Sequence, residues 1–104
     1  MSIFAEATDD LFANPDIART VLYRPGDVGD GIAVRVIARR PDLEVGFADI
    51  AVHMATAVFE VRVAEVPRPA EGDTIALDGE IFVVQGEPVR DVERLVWTID
   101  TWLR

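Results

Sequence analysis

The sequence offers few side chains that could carry out covalent chemistry. It has one histidine, His53, no cysteine, and a single serine, Ser2. A thiolate zinc site and a cysteine nucleophile are therefore excluded, and a catalytic triad would depend on His53 alone. His53 lies between Val52 and Met54 in a weak strand pattern, which is typical of an ordinary strand residue. We therefore predict that the protein is not an enzyme.

Acidic residues are numerous, but their spacing does not define a metal site. Asp27, Asp30 and Asp49 are the candidates for calcium ligands. The segment from Asp27 to Gly31 does not match an EF-hand loop, because no glutamate follows at the closing position. With 19 acidic residues, a pair of carboxylates for glycoside hydrolysis cannot be singled out. We expect no metal and no cofactor.

The charge balance disfavours tight nucleic-acid binding. All ten basic residues are arginines, and the net charge is −9, whereas contact with phosphates is driven by cations. Arg35, Arg39 and Arg40 form the one basic cluster, with Phe47 nearby. Three acidic residues surround it: Asp42, Glu44 and Asp49. We interpret this cluster as a solvated strand face.

The N-terminal residues 2–13 are predicted to form a helix. Ser2 is a suitable N-cap, and Phe4, Ala7 and Leu11 recur at helical spacing, with Phe12 adjoining. Asn14-Pro15 ends the pattern. A helix of this length is marginal alone, so it must pack on its own core or on a partner, and both options remain open. Residues 1–18 form an arm that we expect to be capable of movement.

Residues 19–104 are predicted to form one mainly β domain. Seven segments have strand patterns: residues 20–23, 32–40, 50–54, 56–63, 74–77, 80–85 and 94–103. Asp78-Gly79 is a strong hairpin signal, residues 87–92 are predicted to be a turn, and residues 41–49 a loop. Strands at this spacing indicate a small antiparallel barrel or sandwich. No apolar run reaches the ~20 residues of a membrane span, and the N-terminus has acids where a signal peptide has bases, so we expect a soluble, intracellular chain.

The aromatic residues divide into two groups. Phe59, Phe82 and Trp97 lie in the middle of predicted strands and are expected in the core. Four others lie near segment ends or in predicted loops: Phe4, Phe12, Phe47 and Trp102. Aromatic side chains at such places either bind a protein partner or fold back onto the core, and the sequence leaves both open.

The C-terminal half resembles a known family. The segment from Glu71 to Pro88 reads EGDTIALDGEIFVVQGEP. Its Gly72-Asp73 and Gly79-Glu80 pairs, with Phe82 and Val84, resemble the hairpin of lambda-like phage head–tail joining proteins (head completion or stopper proteins), which include prophage and gene-transfer-agent versions. Further similar positions are Leu95, Trp97 and Ile99 near the C-terminus, Leu11-Phe12 and Ala18-Arg19 near the N-terminus, and the central segment from Arg39 to Asp73.

This resemblance implies a structural virion protein with no enzymatic activity. It implies a ring of about six subunits that docks under the portal or adaptor ring, closes the DNA-filled head and offers an attachment surface to tail terminator or tail-tube proteins. It also implies a small β-barrel with a mobile N-terminus and a mobile loop, located in the neck of a phage or gene-transfer-agent particle that is assembled in the bacterial cytoplasm. Genomic DNA would pass through the channel without specific binding, and no membrane is involved.

Six residues are the candidates for partner binding. Phe4, Leu11 and Phe12 are expected to contact the ring above, and Leu43, Val45 and Phe47 a neighbouring subunit or the tail. Two alternatives remain: a tail-side completion or terminator protein, and a small ligand-binding β-barrel. An enzyme acting through His53 or an unidentified acid pair is a further one.

Overall fold

The computed structural model describes residues 3–39 and 56–104. One helix, α1 (Ile3–Ala13), precedes seven strands. The strands are β1 (Arg19–Arg24), β2 (Ile32–Arg39), β3 (Thr56–Arg62), β4 (Thr74–Leu77), β5 (Glu80–Val84), β6 (Val89–Arg90) and β7 (Val96–Leu103). The described chain is therefore mainly β, as the sequence predicts.

The sheet closes into an antiparallel barrel. The strand order is β3-β2-β1-β4-β5-β7-β6, and a further pairing joins β3 to β7. This pairing runs from Thr56↔Trp102 to Arg62↔Val96 and completes a barrel of six strands, with β6 as an extra strand on β7. Closure satisfies the strand edges that an open sheet would expose.

Alternating apolar residues fill the barrel. Along β3 the side chains of Ala57, Phe59 and Val61 are buried, while the residues between them are half-buried. Phe59 and Phe82 pack edge to face with ring centroids 5.4 Å apart. Trp97 packs against this core while remaining half-buried. The core positions of Phe59 and Phe82 are thus confirmed, whereas Trp97 lies at the edge of the core, and side chains occupy the interior where a ligand would otherwise sit.

The predicted hairpin is present between β4 and β5. Asp78 and Gly79 have φ values of 53° and 82°, and Leu77 pairs with Glu80. Two consecutive positive φ angles are the mark of a type I′ turn, which matches the twist of the adjoining strands. The Asp-Gly pair of the sequence is therefore explained by the backbone that it must adopt.

Two expectations at the C-terminal end differ from the structure. Residues 87–92 are not only a turn, since Val89 and Arg90 pair with Thr98 and Trp97 as β6. The last strand begins at Val96 rather than at position 94, because the Asp91 carboxylate accepts the N–H groups of residues 95 and 96 at 2.7 and 3.1 Å and holds this connection as a turn. The predicted strand at 50–54 and the loop at 41–49 lie outside the described residues.

A buried carboxylate, Asp73, joins three segments at one end of the barrel. Its side chain accepts hydrogen bonds from the Tyr23 hydroxyl, from the Gly26 N–H at 2.7 Å and from the Ala70 N–H at 2.9 Å. Asp73 is only 5% exposed, and a buried carboxylate is costly unless donors surround it. The network therefore fixes the end of β1, the turn that follows it and the loop before β4 against one another.

Asp27 makes the reciprocal connection. Its carboxylate accepts the Thr74 hydroxyl at 3.1 Å and the Arg104 guanidinium at 2.7 Å. The hydrogen bond from Arg104 lowers the pKa of Asp27 below its usual range, and the bond from Thr74 acts in the same direction. The two Gly-Asp pairs of the sequence, 26–27 and 72–73, thus hold each other's turns.

The Tyr23 hydroxyl is held in its protonated form. Burial raises the pKa of Tyr23 above its usual 10.0, and the hydrogen bond to Asp73 and the charge of that carboxylate raise it further. Because the pKa of Tyr23 is higher in the folded state than in the unfolded state, the protonated hydroxyl contributes its full stabilisation below pH 10.0. This stabilisation is lost as the pH rises above that value.

We predict that Tyr23 is the side chain whose titration lowers the stability of the fold at alkaline pH. The chain has one tyrosine, no lysine and no cysteine, so no other side chain titrates between about pH 9 and about pH 12. The free energy of unfolding, measured by denaturant titration with tryptophan fluorescence, should fall above pH 10 by up to about 1.4 kcal/mol per pH unit. In Tyr23→Phe this dependence should be absent. Parallel pH profiles for the two proteins would contradict the assignment.

Candidate partner-binding surface

Helix α1 has two separate apolar faces. At 3.6 residues per turn, positions i, i+3 or i+4, and i+7 share one face. The face on the barrel is formed by Ala5, Thr8 and Phe12, which are half-buried or buried. The opposite face, called here the outer helix face, is formed by Ile3, Phe4, Ala7 and Leu11, all exposed. The helix therefore packs on its own core through one face and presents the other.

Phe12 anchors the helix to the barrel. It is 1% exposed, and the Arg62 guanidinium lies 5.3 Å from the centre of its ring. Arg62 also pairs with Asp9 of the helix and with Glu65, both at 3.1 Å. A half-buried arginine thus covers the aromatic ring and pairs with two acids at the same time.

Arg35 of β2 holds the C-terminal end of the helix. Its guanidinium donates to the Phe12 carbonyl at 3.0 Å, to the Ala18 carbonyl at 3.2 Å and to the Thr20 hydroxyl at 3.0 Å. The last carbonyl groups of a helix lack partners within it and carry partial negative charge, so a cation is favourable there. The sequence predicts a solvated strand face for Arg35. In the structure Arg35 instead joins α1 to β1 through these three hydrogen bonds, which are called here the Arg35 clamp.

The candidate residues fall into three groups in the structure. Phe4 and Leu11 lie on the outer helix face, 55% and 48% exposed. Phe12 is a correction to the expected set, because its ring is buried against the barrel and is not at the surface that a partner would meet. Leu43, Val45 and Phe47 lie outside the described residues and stay predictions, as does the interpretation of His53.

The structure adds exposed apolar residues that the sequence analysis did not select. Ile3, 74% exposed, extends the outer helix face by one residue beyond Phe4. Ile17 follows the helix and is also exposed, in a turn where the Asn14 carbonyl accepts the N–H of Ala18 at 2.8 Å. The sequence already contains a signal for this position, because Ile3 lies four residues before Ala7 and so shares its helix face.

A second apolar surface lies at the end of the barrel. A groove of about 370 Å³, called here the Ile32 groove, is lined by Tyr23, Pro25, Ile32, Glu65, Val66, Pro67 and Arg68. Tyr23 and Ile32 are register partners on neighbouring strands. Gly31 makes their approach possible, because at its φ of +81° a Cβ atom would lie 2.9 Å from the side chains of Leu22 and Arg24.

The two charged residues that line the Ile32 groove differ in their partners. Glu65 is already occupied, since it pairs with Arg62 at 3.1 Å and accepts the backbone N–H of Arg35 at 3.1 Å. Arg68 is exposed and forms no ion pair with any described residue. The groove is therefore apolar, and Arg68 is the charge at its rim that has no ion-pair partner among the described residues, in a chain whose net charge is −9.

A third recess lies over Trp97. A cleft of about 620 Å³ is lined by Pro69, Ala70, Glu71, Gly86, Glu87, Pro88 and Trp97. The indole Nε1 is buried without an acceptor among the described residues, and the Arg90 guanidinium lies 5.3 Å from the ring centre. The Glu71 carboxylate accepts the Gly86 N–H at 2.8 Å, so this acid holds the wall of the cleft.

The remaining acids form no evident metal centre in residues 3–39 and 56–104. Within these ranges no group of three or more His, Cys, Asp or Glu side chains could hold a metal ion. Asp27 is bound to Thr74 and Arg104, and Asp49 lies outside the described residues. The part of the chain that the structure describes also contains no helix long and apolar enough to cross a membrane.

Comparison with known proteins gives one result. The model of the family described as Phage Head-Tail Attachment protein matches residues 1–101, which is nearly the whole chain of 104 residues. No curated protein and no solved structure matches.

The Arg35 clamp predicts a selective effect on the helix. Arg35→Ala removes three charge-assisted hydrogen bonds and should weaken helix docking by about 1–3 kcal/mol. Amides of α1 should then exchange with deuterium about 5- to 100-fold faster, while those of β3 and β7 keep their protection. Arg39→Ala is the matched control, because Arg39 lies on the same strand and pairs with Glu60 at the surface. Unchanged exchange in α1 would show that the clamp is not needed.

Proposed function

The chain belongs to the phage head-tail attachment protein family, and from this premise we propose that it is the stopper subunit of the neck. The family makes it a structural virion protein that joins heads and tails. As stoppers, identical subunits form a ring under the portal or adaptor ring. The ring closes the DNA-filled head and offers the surface to which the tail attaches. The ring would belong to a phage or gene-transfer-agent particle assembled in the bacterial cytoplasm.

The outer helix face is the observation that carries this proposal. Large apolar side chains are exposed side by side at Ile3, Phe4 and Leu11, on a helix whose other face is fixed to the barrel. Contiguous exposed apolar residues mark protein interaction sites. The helix is therefore a contact element that packs on the barrel through one face, and a protein that works by assembly needs such an element.

Binding rather than catalysis is the mode of action that we propose. Three of the polar side chains act within the fold, since Asp73 and Tyr23 hold turns together and Arg35 holds the helix. The barrel interior is filled by Phe59, Phe82 and aliphatic side chains, which disfavours an interior ligand.

The charge of the chain fits passage of DNA without attachment. At −9 per copy, a ring of about six copies carries a formal charge of about −54. An acidic channel wall repels phosphates, so the genome slides past it. Leu43, Val45 and Phe47 remain our proposed contacts to a neighbouring subunit, or to tail terminator or tail-tube proteins.

The proposal predicts that Leu11→Asp prevents head–tail joining. Leu11 is 48% exposed, so the fold should survive, whereas a carboxylate in an apolar interface should lower the yield of tailed particles by about tenfold or more. Purified filled heads and tails are mixed with the variant, and joined particles are counted by electron microscopy. Val92→Asp is the control, because Val92 is 96% exposed and distant in sequence from the helix.

Two outcomes would contradict this assignment. Equal yields with Leu11→Asp and Val92→Asp would remove the helix from the joining surface. Capture of the wild-type protein by purified tails, with none by filled heads, would favour the alternative of a tail-side completion or terminator protein.

A further inference from the structure

The outer helix face and the Ile32 groove are different surfaces of the same folded chain. The helix lies on the outer wall of the barrel, where Arg35 stands opposite Thr20 at the start of β1. The groove lies at the other end of β1, where Tyr23 stands opposite Ile32. The two positions are separated by about 10 Å along β2, and both surfaces are present at once.

We propose that the outer helix face of one copy binds in the Ile32 groove of the next copy. This inference rests on the proposed ring and names the partner of its helix as a second copy of this chain. Because each contact joins two different surfaces, a row of copies still has one unused helix at one end and one unused groove at the other. Contacts of this kind close into a ring when the rotation between neighbouring copies brings the two ends together.

The charges of the two surfaces are complementary. Asp10 lies at the edge of the outer helix face, with Glu6 beside it, and neither forms an ion pair with a described residue. Within the described residues the helix therefore brings carboxylates that have no ion-pair partner, while Arg68 is a cation without one at the groove rim. Most other described arginines are engaged, as in the pairs Arg19–Asp78 and Arg104–Asp27. An acidic apolar helix is thus the occupant that fits this groove.

The apolar parts also correspond. The helix presents Ile3 and Leu11 about two turns apart, and the groove presents Ile32, Pro25 and Pro67 around the covered ring of Tyr23. Ile32 is 47% exposed, although its position in β2 has the inward parity of Val34 and Val36. Covering it with another copy would complete the end of the barrel core.

The absence of cysteine from the chain allows a direct test by disulfide cross-linking. Full-length Leu11→Cys and Ile32→Cys proteins are mixed under mild oxidation, and the mixed disulfide is followed by mass. A disulfide forms only when the two Cα atoms come within about 7 Å. We expect the mixed product to form roughly tenfold faster than the product of Leu11→Cys with Val92→Cys, which reports random collision.

The charge contact is tested in the same system. Arg68→Glu in the Ile32→Cys chain should slow the cross-link by roughly two- to fivefold, as expected for a surface ion pair. Asp10→Arg in the Leu11→Cys chain should then restore the rate. Absence of restoration would overturn the pairing of these two charges.

Other outcomes would overturn the contact itself. Faster linking of Leu11→Cys to itself would mean that helices meet each other, and a rate equal to that with Val92→Cys would mean that the groove does not receive the helix. Linking of Leu11→Cys to a head protein instead would assign the helix to the ring above. In each case, loss of joining by Leu11→Asp would still support the proposed function, so the two failures can be told apart.

Discussion

The buried carboxylate of Asp73 is the constraint on which the arrangement of this protein depends. A carboxylate removed from water needs donors on all sides, and here they come from β1, from the turn after it and from the loop before β4. Segments 50 positions apart in sequence are held in one geometry. Because Asp27 binds Thr74 and Arg104 in return, the C-terminus is fixed to the same point. Removing any one donor would leave the buried carboxylate with two hydrogen bonds instead of three, which is costly for a buried charge.

This network also creates the binding surface that adjoins it. Tyr23 is held by Asp73 and forms part of the Ile32 groove, and Pro25 lies in the turn whose next residue, Gly26, donates to the same carboxylate. At the other end of β1, Arg35 holds the helix through backbone carbonyls, and Ile3 and Leu11 of the outer helix face are exposed. Polar groups therefore supply the rigidity, and apolar groups are left to supply the contacts. A surface that is already ordered before binding loses less entropy when its partner arrives.

The sequence predicts what is encoded locally. Strand alternation, the Asp78-Gly79 turn and the core positions of Phe59 and Phe82 follow from short-range patterns. The helix shows the limit of such patterns, because Phe4, Ala7 and Leu11 have the correct spacing for a packed face and yet are exposed. The helix has a second face around Phe12, and Arg35 and Arg62, which are distant in sequence, hold that face on the barrel. Nothing local marks Asp73 as buried among 19 acids, or Val89 and Arg90 as partners of β7.

Assembly of identical acidic chains raises an electrostatic problem that the proposed contact addresses. Charges separated by more than about 8 Å are largely screened at physiological ionic strength, so repulsion between copies depends mainly on the groups near the interface. Placing the carboxylates of one copy beside Arg68 of the next replaces repulsion with attraction at that point. A contact made by a few apolar side chains and a single arginine remains weak between free subunits. Its strength grows when a docking surface holds several copies side by side, because each further contact then forms at high effective concentration. A ring built on this contact would therefore assemble where the neck gathers its subunits, and the free chains would remain apart.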